Sequence, residues 1–206
     1  MKKLFKKLFS IERIDLISKY FNTSNSMILE IGVHRAEFSK ELLKNFNPKK
    51  LVLVDPWLSF DDIKYNNSFY GNLDNKGQSM QDNYFAEVSN FFQKEISTGK
   101  VEIFRDSSDN YFLMNKNKFD LIYIDGNHLY DFVKNDILNS LKCLNENGLI
   151  VTDDYKLKGW WNDDVTKAVD HCIEQNSLVV LNKHSLFNYH HQCIISKKDK
   201  IASNPL

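Results

Sequence analysis

No apolar run in this sequence approaches the roughly 18 residues that span a bilayer, so a chain that is 42% hydrophobic is expected to be soluble. Cysteine is scarce. Cys143, Cys172 and Cys193 are odd in number, far apart, and lie inside apolar helix or strand patterns. Neither a disulfide frame nor a zinc site is expected from them, and a reducing, cytoplasmic location fits. Neither sign of charge is in excess, with 27 Lys+Arg against 27 Asp+Glu. Without a global field to steer the chain onto a phosphate backbone, no nucleic-acid partner is expected. Glycine is limited to 7 of 206 residues. In the loop after the first apolar strand, His34 stands where a G-x-G-x-x-G dinucleotide fingerprint needs its second glycine. A side chain there would crowd a pyrophosphate, which disfavours an NAD-binding oxidoreductase.

What is present suits one domain with a substantial core. The first 21 residues, MKKLFKKLFSIERIDLISKYF, place Leu4, Leu8, Ile11, Ile14, Ile17 and Phe21 near helical spacing, with Lys2, Lys3, Lys6 and Lys7 at one end. The basic residues are not followed by an uninterrupted apolar core of about 7 to 15 residues, which argues against an export signal. An amphipathic helix over 1–21 packs on its own domain, against a second subunit of a homodimer, or weakly on an anionic membrane surface.

The chemistry is expected in Phe119 to Tyr155, which reads as strand, loop, helix, strand. Leu121 to Ile124 and Leu149 to Val151 are short apolar runs of the kind buried on both faces of a parallel sheet. Between them Val133, Ile137, Leu141 and Leu144 form one helical stripe, stopped by Asn147-Gly148. In such a βαβ unit both strands end on the same sheet edge, so Asp125 is brought near Asp153 and Asp154. Three converging carboxylates repel unless something positive sits between them, and a hard divalent cation answers that need.

The pattern Ile124-Asp125-Gly126-x-His128-x-Tyr130, then Asp136, then Gly148-Leu149-Ile150-Val151-x-Asp153-Asp154-Tyr155, resembles the bacterial class I S-adenosylmethionine (SAM) methyltransferases related to sugar and macrolide O-methyltransferases. It is more distantly similar to the catechol-type enzymes. The resemblance, over about Met27 to Ile173, implies a Rossmann-like α/β fold: a seven-stranded, mainly parallel sheet with helices on both faces and an antiparallel edge. It implies Mg²⁺ or Mn²⁺ on Asp125, Asp153 and Asp154, and it puts His128 where catechol-type relatives carry a lysine base. The implied reaction is methyl transfer to a hydroxyl of a sugar, glycan precursor or natural product. A metal-independent enzyme using His128 alone, and a non-catalytic SAM- or nucleotide-binding protein, are the alternatives.

Further cofactor residues follow along the chain. Glu30, Gly32 and His34 belong to the strand and loop that lead into a helix at about Ala36, and helix-start amides suit a carboxylate. Asp55 ends the second strand at about the spacing of an acid that accepts ribose hydroxyls. Asp106 and Ser107, after strand 101–104, match positions that meet adenine in relatives, although Ser107 or Ser108 can equally cap a helix. Asp125 lies close to both cofactor and metal. Residues 57–99 read as a lid or insert, polar and aromatic to about Asn83 and helical from Tyr84 to Ile96. Trp57, Tyr155, Trp160 and Trp161 are expected to wall the acceptor. His190-His191 is a poor metal pair, because adjacent strand side chains face opposite ways.

Overall fold

β-Strands alternate with helices along most of the chain, and the strands assemble into one sheet. The structure, a computed structural model, describes residues 13–68, 70–71, 77–183 and 191–197. Helix α1 covers residues 13–18. The strands are β1 (Met27–Ile31), β2 (Lys50–Val54), β3 (Val101–Phe104), β4 (Phe119–Ile124), β5 (Leu144–Thr152), β6 (Val179–Lys183) and β7 (Cys193–Ser196). The remaining helices are α2 (Glu37–Phe46), α3 (Gly77–Phe91), α4 (Gln93–Ser97), α5 (Ser108–Met114), α6 (Tyr130–Cys143) and α7 (Asp164–Asn176). Sheet order is β3-β2-β1-β4-β5-β7-β6. Strands β1 to β5 pair in parallel, and β7 runs antiparallel to both β5 and β6. This is a Rossmann-like α/β architecture, a seven-stranded, mainly parallel sheet with an antiparallel edge.

The strands are apolar on both faces because helices cover both. Leu121 and Tyr123 point into one core with α1, α2 and α3, whereas Ile122 and Ile124 point into the other with α5, α6 and α7. Strand periodicity thus divides one sequence run between two layers. Helix α1 contributes Ile14, Leu16 and Ile17 to the first core, each 6% exposed or less. Burying such side chains stabilises by about 1.5–3 kcal/mol apiece, which fixes α1, and with it Arg13, on the domain. Lys2, Lys3, Lys6 and Lys7, on which the membrane-surface expectation rested, lie outside the described residues, as does His190. No helix among the described residues is long and apolar enough to cross a membrane.

Two element boundaries differ from those expected. Strand β5 begins at Leu144, directly after α6, and passes through Asn147-Gly148. Leu144 is buried and pairs with Phe119 before a register shift, so burial overrides the local preference of Asn-Gly for a stop. The helix expected from Tyr84 starts at Gly77 and breaks at Phe92. Phe92 is fully buried while Phe91 is 55% exposed, so the break lets one of two adjacent rings enter the core.

Candidate active site

Parallel pairing of Ile31 with both Val54 and Ile124, and of Ile124 with Thr152, brings the carboxyl ends of β1, β2, β4 and β5 to one edge. Gly32 has φ 87°, and a Cβ added there would stand 1.9 Å from the Asp125 carbonyl oxygen. Only glycine permits that approach of the β1 loop to the β4 loop. The next two amides, of Val33 and His34, both donate to Asp55 Oδ2 at 2.9 Å, and the Trp57 amide donates to Oδ1 at 2.7 Å. Asp55 therefore clamps the loop, and the three bonds take about three of its four acceptor positions. Burial pushes its carboxyl up, and the three amide bonds oppose that shift.

Glu30, 1% exposed, is turned into the core against Ser39 of α2, and burial pushes its carboxyl up to about 8. His34 offers its backbone to the loop: its carbonyl accepts from Trp57 Nε1 at 2.8 Å, and its ring meets Tyr84 edge-on at 4.9 Å. At the end of β3, Asp106 Oδ1 accepts from the Ser107 amide and from Asn110 Nδ2, bonds that lower its carboxyl, while Ser107 Oγ caps α5.

Trp57 and Tyr155 do not stand on an acceptor wall. Trp57 is fully buried and packs on Phe85. Tyr155 is 1% exposed and donates its hydroxyl to Asp170 at 2.8 Å. Each ring has enough apolar area to be drawn into a core, with a hydrogen bond for its polar end. Trp160 and Trp161 are half-buried, with ring contacts to the β4 loop and the insert. Trp161 stacks on His128 with ring centroids 4.2 Å apart, and Trp160 meets Tyr65 and Tyr70 edge-on at 5.4 and 5.9 Å. Asn127 Nδ2 donates to the Tyr65 hydroxyl at 2.9 Å, tying the insert back to the β4 loop.

The acids at the β4 and β5 ends divide into two groups. Asp154 adopts φ 56°, and its Oδ2 lies 2.6 Å from His128 Nε2. Asp153, buried, instead pairs with Arg13 Nη1 at 2.8 Å. The same nitrogen is 3.6 Å from Asp125 Oδ2 and donates to the Tyr123 hydroxyl at 3.3 Å. The positive charge that three converging carboxylates require is thus supplied by a side chain of α1. Burial opposes the charge on Arg13, but Tyr123 and the carboxylates of Asp153, Asp125 and Asp154 outweigh it and raise the guanidinium above its ordinary value. Asp125 is pushed well up by burial and by Asp153, with Arg13 pulling the other way.

Asp125, His128 and Asp154 offer ligand atoms that all lie within 4.8 Å of one another. Two carboxylates and an imidazole fit a divalent cation. The nitrogen suits Mn²⁺ better than Mg²⁺, which prefers oxygen alone. Asp153 joins that set only if Arg13 releases it. Arg13, Asn127 and Tyr65 were missed as site residues. Tyr65 carried a weak signal as an aromatic of the insert, whereas Arg13 and Asn127 belong to no motif.

A family model described as a methyltransferase domain matches residues 29–155, more than half of the chain. No curated protein matches it in sequence. Among solved structures it is similar to a candidate rRNA methylase from Clostridium thermocellum, with TM-score 0.65, 11% identity, and 91% of this chain and 95% of that one covered. It is also similar to a ribosomal protein L11 methylase from Lactobacillus delbrueckii subsp. bulgaricus, with TM-score 0.55, 15% identity, and coverage of 94% and 77%. A third is a candidate methyltransferase from Streptococcus mutans in complex with S-adenosylhomocysteine, with TM-score 0.57, 11% identity, and coverage of 95% and 96%. The rRNA methylase overturns the expectation that nucleic acid is excluded as a partner. Zero net charge removes long-range steering only; it does not limit what a local surface can hold. With a methyltransferase model spanning the Gly32 loop through the Asp153-Asp154 pair, on the fold those structures share, the chain belongs to the methyltransferase domain family and is a class I SAM-dependent methyltransferase.

Proposed function

We propose that this enzyme is an O-methyltransferase. SAM lies across the carboxyl ends of β1, β2 and β3, with Asp55 at its ribose, Asp106 and Ser107 at its adenine, and its methyl group directed toward Asp125 and His128. The observation that carries the reading is the His128–Asp154 contact of 2.6 Å at the edge that also holds the Gly32 loop. If Nε2 donates its proton to Asp154, Nδ1 is left as the basic atom, and Nδ1 is buried with no hydrogen-bond partner among the described residues. The acceptor oxygen attacks the methyl carbon in line with the breaking carbon–sulfur bond. S-adenosylhomocysteine leaves with the bond's electron pair, and the acceptor's proton passes to Nδ1. Asp154 then stabilises the imidazolium, much as a carboxylate orients histidine in hydrolytic triads. A divalent cation held by Asp125 and Asp154, with Asp153 once parted from Arg13, would supply a Lewis acid that lowers the hydroxyl's pKa.

The acceptor class favoured is a sugar hydroxyl on a glycan precursor or natural product. A ring face would lie against Trp160 and Trp161, which are only partly buried. A second reading, an RNA or protein acceptor, is favoured by the descriptions of the rRNA and ribosomal protein methylases. Methyl-labelled SAM offered with nucleotide sugars, glycan precursors, ribosomal RNA and ribosomal proteins separates the two. Label on a sugar hydroxyl, lost in His128→Ala, is the expected result. Label on a base nitrogen or on a polypeptide would overturn the proposed acceptor.

A further inference from the structure

We propose that Arg13 is the resident counter-cation of this site and controls entry of a divalent metal, because the guanidinium and the metal compete for Asp125 and Asp153. Arg13 Nη1 stands between the two carboxyl groups, 2.8 Å from Asp153 and 3.6 Å from Asp125. An ion joining them would need oxygen ligands at about 2.0–2.6 Å, so it would take the space the guanidinium fills.

The guanidinium sits in a built socket. The Tyr123 hydroxyl that accepts from Arg13 at 3.3 Å also accepts from Gln192 Nε2 at 3.0 Å, which holds it in place. The Phe38 ring lies 5.8 Å beneath the guanidinium carbon. Ile14 and Ile17, in the same turn of helix, are buried in the core and fix the backbone from which Arg13 reaches. Tyr123, Gln192 and Phe38 come from β4, the segment before β7 and α2, so three parts of the fold converge on this side chain. Paired with Arg13, Asp153 is not one of the Asp125–His128–Asp154 group whose ligand atoms lie within 4.8 Å of one another. Removing Arg13 leaves a buried, uncompensated carboxylate at Asp153, and an incoming cation relieves it. Coupling of this kind is reciprocal: whatever Arg13 costs the metal, bound metal costs the seating of Arg13.

The inference rests on Asp125 and Asp153 as cation donors, part of the function proposed above, and its test uses Mn²⁺ alone so that methyl transfer stands or falls separately. The full chain is titrated with Mn²⁺, without SAM or acceptor, and free Mn²⁺ is followed by electron paramagnetic resonance. Arg13→Gln should bind Mn²⁺ about tenfold or more tightly than wild type, and Arg13→Lys, which keeps the charge, should stay within about threefold. Adding Asp153→Asn to Arg13→Gln should erase the gain, which a merely structural role for Arg13 does not predict. Should the glutamine variant fail to fold, Arg13→Met, of similar length and uncharged, carries the same expectation. No gain in a folded Arg13→Gln or Arg13→Met variant, or a gain that survives Asp153→Asn, would overturn the proposal.

Discussion

At the β1–β2 end of the sheet edge, Asp55 is held by three backbone amides and Glu30 is buried with a carboxyl pushed up to about 8, whereas at the β4–β5 end Asp153 and Asp154 are answered by the side chains of Arg13 and His128. Backbone amides cannot leave without unfolding the loop, so the first arrangement is fixed. Side chains can exchange partners, so the second can respond to a methyl acceptor or a cation. The contrast suits a cofactor half that binds the same molecule in every cycle and a reacting half where charge must move.

If the two halves are separate in this sense, His128→Ala should lower turnover about 10²- to 10⁴-fold while SAM affinity by calorimetry stays close to wild type. Near-normal turnover at every pH would take the base away from His128. On the fixed side, Gly32→Ala puts a Cβ 1.9 Å from the Asp125 carbonyl oxygen at φ 87°, and about 3 kcal/mol should be lost in urea unfolding. A variant as stable as wild type would mean that the two loops are not in contact. Asp55→Ala should weaken SAM binding by about 1.5–3 kcal/mol, the range for hydrogen bonds to a charged group, with circular dichroism unchanged.

The effect spread over the widest pH range, and so smallest at any one pH step, concerns Glu30. Its folded-state pKa, about 8, lies above the ordinary 4.5, so between those values the folded chain keeps a proton that the unfolded chain has lost. The stability this group contributes is complete below the unfolded value, declines as pH rises, and is gone above about 8. Its share of the slope is about 1.4 kcal/mol per pH unit at most. Glu30→Gln should flatten that part of the stability profile measured by urea titration at several pH values. A profile that is unaltered would show that Glu30 is ionised in the fold.

How legible each half was depended on how far apart its partners lie in sequence. Gly32 and Asp55 announce themselves, since the loop, the glycine and the acid belong to one β-α-β unit with regular spacing. Burial of β4 on both faces was equally readable, because Leu121 to Ile124 is an unbroken apolar run. Arg13 was not readable: one arginine in a helix has no pattern that links it to Asp153, far along the chain though 2.8 Å away in the fold. The acid doublet read as a unit, yet the positive φ of Asp154 sends the two side chains to different partners. Trp57 and Tyr155 misled because an aromatic beside a motif acid looks like a wall, while burial of a large ring is the stronger tendency. Net charge misled in another way, being a sum over the chain that is silent about any one surface.

The central claim is most directly tested by isothermal titration calorimetry of the full chain with S-adenosylhomocysteine, in the absence of acceptor and added metal. The account predicts one saturable site per chain in wild type and in His128→Ala, weakened in Asp55→Ala. A folded wild-type chain that gives no binding heat with either S-adenosylhomocysteine or SAM, or an Asp55→Ala variant that binds as tightly as His128→Ala, would contradict it.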